Sequence, residues 1–321
     1  MKNILLLIGK LAVSATLVFL LLQRISLGDA MAVLGEAKLL PFFAAFLLFG
    51  ASVFGGAWQW GFFLRTLGIS ISWKKVIEVY WVGLFFNNIL PGNVGGDLVK
   101  VLDLKKEQQD PITSAAATLA DRLTGLSALA FLALLASWLL RTEPGLETIG
   151  NAVFRSSLLY LFLAFLFLLN PVASGMRRLG ILTGILSEGG KRWRIFELFE
   201  VLRCRKRVLF RLFLLSLLVQ GMRVGVHFLV CYALIGSATP SFGQFFIAIP
   251  PLAFALVLPV TIGGLGLRES LAIPLFRPLG LIGEVPVALQ FLAYLLMLLV
   301  SSIGGFVFLL RRLPSEAVKN R

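Results

Sequence analysis

Histidine occurs once in this sequence, at His227, and cysteine twice. One imidazole excludes the lipid phosphatases that divide their chemistry among several histidines. Cys204 sits in a basic stretch and Cys231 inside an apolar one, so they are not expected to pair. Neither zinc spacing nor a disulfide framework is present. Charge is also scarce, at 14% of residues, where a soluble domain carries about 25%. Walker, GxSxG and HExxH patterns are all missing. No metal or cofactor is therefore expected, and drive by ATP would require a partner chain.

Apolar sequence is what the chain has in abundance: 58% hydrophobic residues and a mean hydropathy of +0.92. A spanning helix needs about 20 apolar residues. Six runs approach or exceed that: Ile4–Leu22, Leu39–Leu64, Thr113–Leu140, Ser156–Asn170, Val208–Ile235 and Val287–Leu310. Met1–Leu22 lacks a small-x-small cleavage site and reads as a retained first helix. The expected fold is an all-α polytopic membrane protein, a single integral membrane domain over residues 1–321. Two shorter apolar runs, Val76–Leu90 and Phe245–Leu258, end at Pro and Gly. Such segments enter the bilayer and turn back where protein or water satisfies the broken backbone.

Basic residues orient the chain. Arg177–Arg211 holds ten Lys or Arg and three Glu, which marks a cytoplasmic loop. Counting spans from it places both termini in the cytoplasm, and the expected location is the cell membrane, a cell inner membrane. The net charge of +14 then points to anionic lipid headgroups rather than nucleic acid. A membrane-protein partner or a homo-oligomer stays open. Within that loop Glu188–Arg207 mixes aromatics, aliphatics and cations, as in an amphipathic helix on a lipid surface. Trp58 and Trp60 with Phe62 and Phe63 read as an interfacial aromatic belt.

One pattern occurs in both halves. Leu90-Pro91-Gly92-Asn93-Val94-Gly95-Gly96-Asp97 is matched, 168 positions later, by Leu258-Pro259-Val260-Thr261-Ile262-Gly263-Gly264-Leu265. The same offset pairs Lys100 with Arg268. With the orientation above, the first segment dips from the cytoplasmic face and the second from the opposite one. The halves, about 39–140 and 208–310, then form an inverted repeat with two re-entrant segments. Paired Gly/Pro-interrupted segments of this kind point to a transport site near the bilayer midplane.

The run Phe85-Phe86-Asn87-Asn88-Ile89-Leu90-Pro91-Gly92-Asn93-Val94-Gly95-Gly96-Asp97, then Ala120-Asp121-Arg122-Leu123-Thr124-Gly125, resembles the lysylphosphatidylglycerol synthase transmembrane (flippase-like) family. Gly263-Gly264-Leu265-Gly266-Leu267-Arg268-Glu269 resembles that family's second signature. The resemblance runs from about Ile4 to Leu310. It implies lipid translocation or other membrane-lipid handling. The longest members add a soluble aminoacyl-transfer domain; only ten residues follow Arg311 here, so a stand-alone membrane unit without lysyl transfer is expected.

The candidate headgroup site comprises Asn87, Asn88, Asn93, Asp97, Lys100, Asp121, Arg122, Arg223, Arg268 and Glu269. Polar and ionisable groups at such depth are costly unless they face water, a partner or a ligand. Asp121 has Lys100 or Arg65 as possible partners, and Arg122 has Asp97 or a lipid phosphate. Arg223 shares a face with Gln220 and His227; its structural alternatives are Glu269 and Glu78. Pro91, Gly92, Gly95 and Gly96 form the first re-entrant turn, and Pro259, Gly263 and Gly264 the second. Glu78 suits the N-terminal dipole of its helix. The leading function is flippase- or scramblase-like movement of a phospholipid or other polar-headgroup lipid, with no enzymatic step. The alternatives are an enzyme acting on lipid phosphate or lipid-linked sugar, a non-catalytic membrane subunit, and a small-solute carrier.

Overall fold

The computed structural model describes residues 35, 37–89, 95–169, 191–257, 264 and 266–311. The expected first span, Ile4–Leu22, lies outside the described residues, as do Pro91, Gly92, Asn93, Pro259 and Gly263 of the two turns.

The described residues form helices and no strand. In chain order they are α1 (Leu39–Thr66), α2 (Trp73–Ile89), α3 (Gly95–Lys106), α4 (Pro111–Leu139), α5 (Glu147–Leu169), α6 (Lys191–Cys204), α7 (Lys206–Ile235), α8 (Phe242–Val257), α9 (Leu267–Phe276) and α10 (Val285–Leu310). Five of them, α1, α4, α5, α7 and α10, are long and apolar enough to cross a membrane. The chain is a polytopic α-helical membrane protein. Helix α5 begins nine residues before the expected Ser156. Its N-terminal Glu147 accepts from the Gly145 amide at 3.0 Å, and so joins a polar first turn to the apolar run.

Local signals explain the helix ends. Asp110 caps α4, accepting from the Thr113 amide at 2.8 Å, and Pro111 fills the first helical position, where no N–H is needed. Helix α7 stops at Gly236, whose φ of 61° few other residues adopt. Helix α4 buries Ala116, Ala117, Ala120, Ala128, Ala130, Ala133 and Ala136. Without a hydrophobic driving force in lipid, small residues let helices pack closely. Leu158, Leu159, Phe162, Leu163 and Phe165 of α5 point outward, which suits a face against hydrocarbon.

Helices α2 and α3 make a hairpin that starts and finishes at one end of the bundle. At its base Lys75 pairs with Glu107 at 2.8 Å. Twelve residues of α3 rise about 18 Å, so the hairpin reaches well into the bundle. Helices α8 and α9 make the second hairpin, closed by Phe245 against Phe276 at 6.1 Å. Helix α4 relates the two. Its N-cap, Asp110, lies three residues after Glu107 at the first base. At its other end, a Cβ built on Gly243 of α8 would meet Leu140 at 3.3 Å. The hairpins thus enter from opposite ends.

Two expectations change. Trp60 and Phe63 are fully buried, whereas Trp58 and Phe62 are exposed. Positions two apart on a helix face opposite sides, so the four aromatics divide between core and belt instead of forming one belt. Helix α6 does not lie free on a surface. It buries Phe199 and Leu202, packs on α4, and places Arg194 3.3 Å from Asp110.

Candidate functional site

A buried polar cluster fills the space between the first hairpin and helices α1, α4 and α7. Its centre is Asp97, 8% exposed, in the first turn of α3. One carboxylate oxygen accepts from Lys100 at 3.2 Å, and the other from the Arg122 guanidinium. Buried carboxylates survive when paired and hydrogen-bonded in this way. Lys100 is 5% exposed. Its ammonium lies 4.3 Å from the centre of the Tyr80 ring and 5.5 Å from that of Trp60. Both rings present negative faces to the cation. The Trp60 indole in turn donates to Thr118 on α4 at 3.0 Å.

The passage of the lysine stem depends on Gly83, where an added Cβ would stand 2.7 Å from Lys100 Cγ. Gly83 also faces Gly96. A Cβ on Gly96 would fall 1.8 Å from the Gly83 carbonyl oxygen, so the two helices touch backbone to backbone.

Asp121 completes the cluster from α4. It accepts from Gln59 of α1 at 2.8 Å and lies within electrostatic reach of Lys100, Arg223 and Asp97. Arg223 enters from α7. Its guanidinium and the Tyr80 hydroxyl crowd the place where Gly56 lacks a side chain, at 3.4 and 2.4 Å from the Cβ that Gly56 would carry. Among the described residues no carboxylate stands within ion-pair distance of Arg223. Gln220, one turn earlier, donates to the Gly125 carbonyl at 3.1 Å.

The other candidates take different places. Asn87 accepts from the Gly96 amide at 2.8 Å and closes the hairpin. Asn88 donates to Ser301 at 2.9 Å and fastens α2 to α10. Gly95 opens α3, and Gly264 leads into α9 with φ 80°. Asn93 lies outside the described residues. Arg268 and Glu269 belong to the second hairpin. Glu269 turns back to accept from the Gly266 amide at 2.8 Å and is not a partner of Arg223. Glu78 pairs with Lys75 at 3.5 Å and Arg311 at 2.5 Å, so it does more than face its helix dipole. Arg65 stacks on Trp73 at 3.8 Å, away from Asp121.

Gln59, Trp60, Thr118 and Tyr80 were not among the candidates. All four sit inside apolar or aromatic runs, and only three-dimensional packing reveals that they face the charges. Among the described residues no group of three or more His, Cys, Asp or Glu is placed to hold a metal.

Outside the spanning segments, Asp110 shows a resolved perturbation. Burial opposes its ionisation, but hydrogen bonds from the Thr113 side chain and amide, the Arg194 charge and the Ile112 amide outweigh that. Its carboxyl is held below the ordinary 3.8.

The cluster can hold charge inside a membrane protein and offer it to a ligand. Among the described residues, three cations, Lys100, Arg122 and Arg223, face two carboxylates, Asp97 and Asp121, an excess of one positive charge.

Residues 7–305 match the family described as the lysylphosphatidylglycerol synthase TM region. A curated relative, the UPF0104 membrane protein PH1989 of Pyrococcus horikoshii, is 34% identical over 126 residues, 38% of this chain. That match spans 36% of the relative's own length.

Proposed function

The chain belongs to the lysylphosphatidylglycerol synthase TM region family, and on that premise we propose that it moves a polar-headgroup lipid between leaflets. The observation that carries this reading is the buried cluster around Asp97, with its excess cation. Ionisable side chains within a membrane bundle are rare and mark pathways for polar cargo. Here they sit where a re-entrant hairpin meets spanning helices from three directions. An anionic headgroup exchanges its water for Arg223 and Arg122 while its tails stay in hydrocarbon.

Opposed hairpins support an inverted arrangement, in which each hairpin serves one leaflet. In this reading the protein is a carrier and not an enzyme, its partners are membrane lipids with anionic headgroups, and it lies in the cell membrane with both termini in the cytoplasm. The basic segment 177–211 supports that orientation.

The test is leaflet exchange of fluorescent phosphatidylglycerol in vesicles carrying the purified protein. Exchange above that of empty vesicles, lost on replacing Arg223 by Ala, supports the reading. A rate equal to that of empty vesicles refutes it. A change in the lipid's mass would mean enzymatic turnover instead.

A further inference from the structure

The two hairpins carry corresponding cations in different electrical settings. Lys100 has Asp97 three residues before it, and the pair is closed at 3.2 Å. At the same 168-residue offset, Arg268 stands where the first hairpin has Lys100, but Leu265 stands where it has Asp97. The carboxylate three residues before the cation is therefore missing from the second hairpin, and Glu269, the next residue, is the carboxylate within electrostatic reach of Arg268.

Arg268 is nevertheless buried, at 6% exposure. Its neighbours satisfy it poorly. One terminal nitrogen meets only the Met297 thioether, at 3.5 Å, and the guanidinium lies 4.8 Å from the centre of the Tyr294 ring. Its Nε has no hydrogen-bond partner. The adjacent Glu269 is spent on the Gly266 amide. Within electrostatic reach stands His227, whose buried Nδ1 also lacks a partner. The backbone of Gly264 lies against the guanidinium: a Cβ there would stand 3.6 Å from Nη2 and 2.7 Å from the Leu256 side chain. A buried cation with an unused donor, next to an unsatisfied imidazole, is an incomplete arrangement. An oxyanion would complete it, accepting from Nε and neutralising the charge.

We propose that Arg268 and His227 form an anion-binding station in the second hairpin, built for a phosphate oxyanion and separate from the Asp97 cluster. It deepens the transport reading by giving the headgroup a second stop, on the second hairpin. Helix α7 joins the stations: Arg223 faces the first, and His227, one turn on, faces the second. Tyr294 and Met297 flank the guanidinium with an aromatic face and a thioether, while the N-terminus of α9 adds a favourable dipole.

The experiment measures binding, so it is independent of exchange. Purified protein in detergent is titrated with phosphatidylglycerol, with neutral diacylglycerol and with inorganic phosphate, and thermal midpoints are followed throughout. Arg268→Gln is expected to bind phosphatidylglycerol about tenfold more weakly or worse, the loss of one charge-assisted hydrogen bond. Arg268→Lys should recover part of that affinity, and diacylglycerol should respond equally in all variants. Competition by inorganic phosphate at this site means that the oxyanion alone is recognised; no competition means that it must arrive on a lipid. Undiminished phosphatidylglycerol binding by Arg268→Gln would overturn the station, even in a protein that exchanges lipid normally. An equal loss for diacylglycerol would also overturn it, by making Arg268 a packing residue. Binding that depends on Arg268 in a protein unable to exchange lipid keeps the station and refutes transport.

Discussion

Asp97 and Arg122 form an ion pair that ties helix α3 of the first hairpin to the long apolar helix α4. The same carboxylate holds Lys100, so one acid is shared by two cations and the trio keeps one positive charge. Asp97→Asn keeps the volume and removes the charge. Breaking a buried pair from one side costs about 3–5 kcal/mol. The low end applies here, because the Arg122 side chain remains 28% exposed. Thermal unfolding in detergent should show this loss and vesicle assays a loss of exchange. An unchanged midpoint would mean that the pair is incidental.

Gly96→Ala should be among the worst substitutions in the first hairpin. Its new methyl would fall 1.8 Å from the Gly83 carbonyl oxygen, and backbone cannot swing aside as a long side chain can. Overpacking of this kind costs about 1–3 kcal/mol. Gly304→Ala meets the Trp81 carbonyl oxygen at 2.0 Å and should behave alike. Gly50→Ala, with open space around it, is the control, and equal midpoints for all three would contradict the packing described.

Arg311 bridges Glu78 and Asp103, the bases of α2 and α3. In a double-mutant cycle, Arg311→Ala and Asp103→Ala should couple by about 0.5–3 kcal/mol. Simple additivity would show that the bridge contributes nothing.

Stability should depend on pH through Asp110. Its folded carboxyl titrates below the ordinary 3.8, so the folded state favours the ionised form. That contribution is fully present above the unfolded value and disappears as pH falls through the lower, folded one. Asp110→Asn retains a capping side chain but no titratable group. Melting temperature should therefore fall less steeply below about pH 4 in this variant. Parallel curves for the two proteins would remove the assignment.

Single cysteines can establish which ends share a face. After Cys204→Ser, thiols at Glu107 and Ser241 should react with impermeant reagent from opposite sides of the membrane. Labelling of both from one side would place the two hairpin bases together, against the packing of α4.

Much of this fold was legible in the sequence because lipid is a demanding solvent. A span must be continuously apolar, so Leu39–Leu64 and Val287–Leu310 announced α1 and α10 almost to the residue. The Asp97–Arg122 pair was foreseeable as well, since each charge at depth requires a partner and few carboxylates are available. Which partner wins is a matter of helix phase. Arg223 had Glu78 and Glu269 as candidates, yet Glu78 turns to Arg311 and Glu269 to its own helix start. Trp60 and Gln59 were hidden for the same reason. An indole or amide within an apolar run looks the same whether it faces lipid or a buried lysine.

Three fastenings run along α10: Arg311 to Glu78, Ser301 to Asn88, and Gly304 pressed on the Trp81 backbone. Spread over more than two helical turns, they weld the first hairpin and the last helix into one rigid block. Any alternation of the pathway between leaflets must then spare that seam.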